Sequence, residues 1–230
     1  MRQSKENTII AEIAMMDSAF KAYKERYGSY PPSDFTKLDD AESPQHLAVV
    51  LHLAHSFPRC NTESELAAIK KLGVKSPAQA LCFWLRGFSS DTEHPISKLL
   101  DDPKDNHPFF YLDKARLKYP AGEKSCPVYL PEGGGDAPYV YFSSVSYATQ
   151  APFNAAFKQG GKGIARPYRL DKGESGEFAN PKSFQIISAG IDGNYGSGKG
   201  SFPSGAGYEA GDKDNLTNFA LTSLGDAIPK

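Results

Sequence analysis

The stretch from Phe184 to Gly200, FQIISAGIDGNYGSGKG, holds the residue types best placed to do chemistry. An apolar run ends at Asp192 inside a glycine-rich loop, and a second acidic cluster, Asp212 and Asp214 in GDKDNL, follows after a gap. Carboxylates and carbonyls turned inward by glycines are hard oxygen donors, and calcium takes about six to eight of them. The EF-hand pattern D-x-[DN]-x-[DN]-G fails here. Gly196 stands where the third ligand belongs, and Pro203 falls where the bidentate Glu would have to be. An ion site on this loop therefore needs donors from elsewhere, and Asp212 and Asp214 are the nearest acidic candidates. A plain Gly/Asp turn is the competing reading.

Other constellations carry less. Gly196-Ser197-Gly198-Lys199-Gly200 looks like a phosphate loop, but Gly200 follows the lysine where Ser or Thr is needed. There is no G-x-S-x-G elbow and no H-E-x-x-H pair. His52 and His55 can share a helical face with Cys60 nearby, yet their setting, AVVLHLAHSF, favours packed histidines over zinc ligands. Cys60, Cys82 and Cys126 lack the paired spacing of a zinc or CxxC site. One disulfide plus a free thiol, or three buried thiols, both fit. These residues give no support to an enzyme.

The elements that must position the loop are legible in part. Ile9, Ile13, Met16, Phe20, Tyr23 and Tyr27 recur at spacings of four and three, which predicts a helix over 4–27 with one apolar face. Glu12, Asp17, Lys21, Lys24 and Glu25 are assigned to the opposite face. Gly28 caps this helix and Pro31-Pro32 cannot continue it. Three further helices are expected: Pro44 to Ser56, Thr62 to Leu72 with Thr62 as N-cap, and Ser76 to Arg86 with Ser76 as N-cap and Pro77 at the first position. From about residue 108 the aromatic and β-branched runs 109–113, 127–130, 138–147 and 183–190 read as antiparallel strands. The glycine-rich segment 158–180 reads as a loop. Helices first and strands second predict an α+β fold.

Composition sets bounds. A chain of 230 residues with 40% hydrophobic content can bury one large core. A net charge of −1 gives no broad basic surface, so no nucleic-acid partner is expected. No stretch reaches the roughly 18 apolar residues of a membrane span. The first residues, with Glu6, Asn7, Glu12 and Asp17 among the apolar ones, do not form a signal peptide.

Two separated pieces carry a resemblance. Residues 9–33, IIAEIAMMDSAFKAYKERYGSYPPS, resemble the segment that follows the membrane-spanning part of type II secretion major pseudopilins and related type IV pilin-like proteins. Ala19-Phe20, Tyr23, Gly28, Tyr30 and Pro31 match the family's "AL-x-x-Y" helix and "G-x-YP" turn. IISAGIDGNYGSG followed by DNLTNF is similar to the same family's "S-x-G-x-DG-x-x-G … D-I/L-x-N-W/F" ending. The family's proline-rich "DPWG-x-PY-x-Y" segment appears only in pieces, as Asp102-Pro103 and Ala137 to Tyr141.

The resemblance implies a single pilin-like ectodomain over 1–230. It would comprise an N-terminal helix (1–30) on an antiparallel sheet, a helical insertion (44–90), and a sheet with a C-terminal calcium loop (108–230). It implies a non-catalytic structural subunit of a secretion or pilus-like assembly, with no small-molecule substrate. The partners would be other pilin-like subunits, met through the N-terminal helix. An upstream apolar half-helix, released by a prepilin peptidase, would anchor the protein in the bacterial inner membrane and leave this part on the periplasmic or extracellular face. It also implies calcium as the cofactor, held by the carboxylates of Asp192 and Asp214. Asn194 or Ser197 and the carbonyls from Ile187 to Ile191 would be further donors. Two other readings stay open: a singly anchored binding module of the same fold, which would use the 44–130 region to engage its partner, and a calcium-dependent secreted hydrolase, for which no nucleophile or acid/base pair is evident.

Overall fold

Helix α1 spans Arg2–Tyr27 and buries Ile9, Ile13, Met16, Phe20 and Tyr23, the stripe its periodicity predicts. The computed structural model describes residues 2–120, 125–133, 135–154, 162–171 and 177–229. The helix stops at Gly28, whose φ of 82° is left-handed. A Cβ there would also come within 2.6 Å of His55 Nε2. The following prolines are buried and hold the turn through their carbonyls: Tyr141 Oη donates to Pro31 O and Trp84 Nε1 to Pro32 O, each at 2.8 Å.

Three more helices close over α1. They are α2 (Pro44–Ser56), α3 (Thr62–Leu72) and α4 (Pro77–Leu85), with a single turn, α5 (Lys98–Asp101), after them. Ser43 and Ser76 cap α2 and α4 through their side chains, and each helix opens with proline, as its fixed φ allows. The cap of α3 is Asn61, whose side chain accepts from Ser64 N at 3.1 Å. The expected Thr62 is already the first helical residue, because the amide side chain one position earlier reaches the orphan N–H. Every residue of α4 is buried, and Trp84 is wholly enclosed. The 44–90 block is therefore built into the main core and packs on α1 and the sheet.

The chain is α+β, a long N-terminal helix with several small sheets. The principal sheet has three antiparallel strands in the order β3 (Val140–Ser143), β7 (Phe184–Ser188), β9 (Leu216–Thr217). Its register pairs Ile187 with Val140 on one side and Thr217 on the other. Phe20 of α1 stacks on Tyr141 at 4.1 Å between ring centroids and tilts against Phe184. Two-residue pairs complete the strands: β1 (Leu117–Lys118) with β2 (Val128–Tyr129), β4 (Phe153–Asn154) with β5 (Ile164–Ala165), and β6 (Arg169–Leu170) parallel to β8 (Ser201–Phe202).

Several expectations change. Residues 109–113 form no strand: Phe109 and Phe110 donate their N–H groups to Leu85 O, at 3.0 and 3.2 Å, and plug the end of α4. The strand read over 138–147 ends at Ser143, where consecutive turns begin, and the one over 127–130 shrinks to two residues. Part of 158–180 is paired as β5 and β6, while Gly160, Gly161, Gly173 and Gly176 lie outside the described residues. All three cysteines are free thiols. His52, by contrast, is the packed histidine that its setting favours: Tyr23 Oη is 2.8 Å from its Nε2 and Ser29 Oγ 3.2 Å from its Nδ1.

Glu12 is the largest correction. It sits in the buried stripe of α1, not on the polar face. Arg116 Nη1 donates to its Oε2 at 2.9 Å, Tyr129 Oη to Oε1 at 3.0 Å and Tyr139 Oη to Oε2 at 2.7 Å. A buried carboxylate persists only when charge and hydrogen bonds surround it in this way.

Candidate functional site at the C-terminal loop

The central strand β7 delivers the loop. After Ser188 the chain turns through Gly190, Gly193, Gly196 and Gly198, all at positive φ, which lets consecutive amides point to one side. The two acidic residues that face them sit two apart in the short helix α6 (Ala210–Asp214), directly before β9. One helical turn thus aims two carboxylates at the glycine-rich segment.

Asp212 is fully buried and carries the larger share. Its Oδ2 accepts from the N–H groups of Ser197 (3.1 Å) and Glu209 (3.0 Å), and its Oδ1 from Gly198 N (2.9 Å) and Tyr168 Oη (2.7 Å). Ser197 Oγ adds a contact at 3.3 Å. Asn215 Nδ2 supports the cluster by donating to Tyr168 Oη and Tyr195 O, at 2.7 and 3.0 Å. Gly196 has to be glycine, since a Cβ would meet Asp212 Oδ2 at 2.4 Å.

Asp214 accepts the N–H groups of Ile191 and Asp192 on Oδ2, at 2.7 and 2.9 Å, and pairs with the Arg2 guanidinium through Oδ1. Arg2 also bonds Glu6 Oε1 at 2.8 Å, so the first turn of α1 is tied to the loop. Glu6, Asp192, Asp214 and Asp226 line one open cleft with Arg2 and Lys213. Partial desolvation pushes the Asp192 carboxyl above its ordinary range, the Asp214 charge adds to the shift, and Arg2 opposes it. The Arg2 guanidinium is raised in turn, first by its bond to Glu6 and then by the Asp214 charge.

Of the residues expected from the sequence, Asp192, Asp214 and Ile191 come together here. Ile191 contributes its N–H to the carboxylate. Asn194 points its Oδ1 at Gly196 N (3.0 Å). Ile187 lies inside the central strand, where a backbone carbonyl is directed at a neighbouring strand. Among the described residues no group of three or more His, Cys, Asp or Glu side chains is spaced to hold a metal ion.

Sequence reasoning ranked Asp212 behind Asp214 and missed Tyr168, Asn215 and Arg2. The D-K-D spacing of α6 was the available signal for two carboxylates on one turn; nothing local marked Tyr168 or Arg2.

A second tie joins the same elements further along. Asn218 Nδ2 donates to Asp17 Oδ1 at 2.9 Å, while Asn218 Oδ1 accepts from Ile186 N at 2.9 Å. The end of β9 is thereby linked to both α1 and the central strand. Chemically, the site is an anion-to-amide clasp with one guanidinium at its edge, and it presents no activated nucleophile. Among the described residues no helix is long and apolar enough to cross a membrane. No family model, no curated protein and no solved structure matches the chain.

Proposed function

We propose that the chain is the ectodomain of a pilin-like structural subunit, non-catalytic and assembled with other pilin-like subunits through α1. One observation carries the reading. From Ile9 onward α1 is built into the core, whereas Arg2, Gln3, Ser4, Lys5, Asn7 and Thr8 in its first turns are exposed. Apart from the Arg2 guanidinium, which is held by Glu6 and Asp214, those turns present exposed side chains to a neighbour while the remainder is anchored on a three-stranded antiparallel sheet. The resemblance of residues 9–33 and of the C-terminal ending supports the same reading; the two pieces touch through Asp17–Asn218, and Arg2, in the first turn of α1 ahead of the first piece, pairs with Asp214 of the second.

In this reading the subunit is held in the bacterial inner membrane by an apolar helical segment that precedes α1, on the periplasmic or extracellular side. Calcium is its structural ion, and Asp192 and Asp214 are the carboxylates that would hold it, with Arg2 the cation now beside them. Their donors are hard oxygens, the class calcium takes. The ion would supply fixed positive charge to the loop.

A second reading, the singly anchored binding module, is favoured by a largely apolar cleft lined by Leu72, Leu99, Phe110 and Leu117. The two differ in whether copies associate. The test of membrane anchoring is the full-length gene product in its own cells. It is expected in the inner-membrane fraction, with a short basic leader ending in Gly, then Phe and roughly 20 apolar residues ahead of α1. A conventional cleaved signal peptide, or a product wholly in the soluble fraction, overturns both readings.

A further inference from the structure

Away from the C-terminal loop, the end of α4 opens on a cleft of about 910 Å³. Its walls are largely apolar, with Leu72, Leu99, Phe110, Leu112 and Leu117 among them, and Cys82 and Cys126 lie at its base. Arg86, the residue that caps α4, also lines this cleft.

The guanidinium of Arg86 is in an unusual position. Its Nε and Nη2 are shut off from solvent and have no hydrogen-bond partner among the described residues. Its Cζ lies 5.3 Å from the centroid of the Phe83 ring, and its main-chain carbonyl is taken by Asn106 Nδ2 at 2.9 Å, so the residue is held in place. Neither contact neutralises the charge. Burial lowers its pKa, with Cys126 and Cys82 opposing the shift, but arginine stays protonated across the physiological range. No acidic side chain lines the cleft among the described residues, and Lys71 and Lys114 add positive charge to its wall. A largely desolvated guanidinium with no counter-charge among the described residues destabilises the fold, and an anion with an apolar body would relieve that while filling the walls.

We propose that this cleft binds a small apolar carboxylate, the carboxylate seated on the Arg86 guanidinium and the hydrocarbon along Leu72, Leu99, Phe110 and Leu117. The planar fork of arginine matches a carboxylate with two parallel N–H···O bonds, which an alcohol or amine cannot reproduce. The site stands apart from the C-terminal loop and is independent of the subunit reading.

Calorimetric titration of the whole chain with octanoate and with octan-1-ol tests it. Octanoate is expected to bind at one site roughly tenfold tighter than octanol, the difference a charge-assisted pair brings. Arg86→Met should erase that preference while keeping octanol binding, and its melting temperature should match or exceed the native one, because a buried charge gives way to a side chain of similar volume. Arg86→Lys, which keeps the charge on a stem of similar length, should bind octanoate severalfold more weakly and covers the case of a Met variant that does not fold. Absence of octanoate binding, equal affinity for octanoate and octanol, or an octanoate affinity unchanged in either variant overturns the proposal.

Discussion

Arg116 Nη1 donates to Glu12 Oε2 at 2.9 Å, joining α1 to a segment 104 residues later in the interior of the protein. The same carboxylate receives the hydroxyls of Tyr129 and Tyr139. Glu12→Ala would leave the Tyr129 and Tyr139 hydroxyls without the carboxylate they donate to, and the Arg116 guanidinium with only Leu130 O, the Tyr129 hydroxyl and a long pair to Asp113. Removing one partner of such a pair costs about 3–5 kcal/mol, which equilibrium urea unfolding would register as a lower midpoint. Glu12→Gln keeps the volume and one acceptor and should lose less. A Glu12→Ala loss under about 1 kcal/mol, the range of exposed ion pairs, would contradict this assignment.

His52 makes stability depend on pH. Burial is the main cause that brings its pKa down to about 3, with the neighbouring His55 adding to it, against an ordinary value of 6.5. The folded state therefore keeps the ring neutral where the unfolded chain protonates. Below pH 6.5 the unfolded state binds the extra proton, so stability falls as pH drops from 6.5 toward 3. Between pH 6.5 and 5 the contribution of this one group is about 1.5 kcal/mol. Thermal melts of His52→Gln should show a shallower decline over that interval than the native chain. Parallel profiles would mean that His52 is not held neutral.

Asp212 organises the glycine-rich loop by accepting main-chain N–H groups from Ser197, Gly198 and Glu209. Asp212→Asn replaces an accepting oxygen with a donor and removes the charge. Each charge-assisted bond contributes roughly 1.5–3 kcal/mol, so the variant should lose at least one such increment. The distinguishing readout is local: amide hydrogen exchange at Ser197 and Gly198 should accelerate strongly while that of Phe142 and Ile186 in the sheet changes least. Unchanged exchange at Gly198 would rule out the clasp.

Calcium should raise the melting temperature of the chain, and Arg2→Ala should enlarge the rise by freeing Asp214 Oδ1. Stabilisation by an ion follows mass action, about 2.7 kcal/mol at one hundred times the dissociation constant. Asp192→Ala combined with Asp214→Ala should abolish the effect. A calcium-dependent rise that survives in the double variant would place the ion elsewhere.

The helices were legible because their signals are local. The apolar stripe of α1, Ser76-Pro77 at the start of α4 and Gly73 at the end of α3 each act within a few residues. Strands of two residues have no period to read, and β1, β4, β5, β6 and β8 exist only because a distant segment pairs with them. Glu12 was misplaced although it lies three residues after Ile9 and four before Met16, squarely on the stripe. A carboxylate reads as solvent-facing until Arg116, Tyr129 and Tyr139 are brought around it by the fold. The acidic character of the C-terminal loop was visible. That its carboxylates turn toward main-chain amides depends on where α6 packs, and no local pattern encodes that.

In the proposed function, copies meet through the exposed first turns of α1. A photo-crosslinking residue placed at the exposed Ser4 or Asn7 of the full-length protein, in its own cells, tests it most directly. The expected result is a ladder of adducts at multiples of the subunit mass, composed of this chain and pilin-like subunits. Monomer alone at both positions, or adducts only to an unrelated protein, would contradict it.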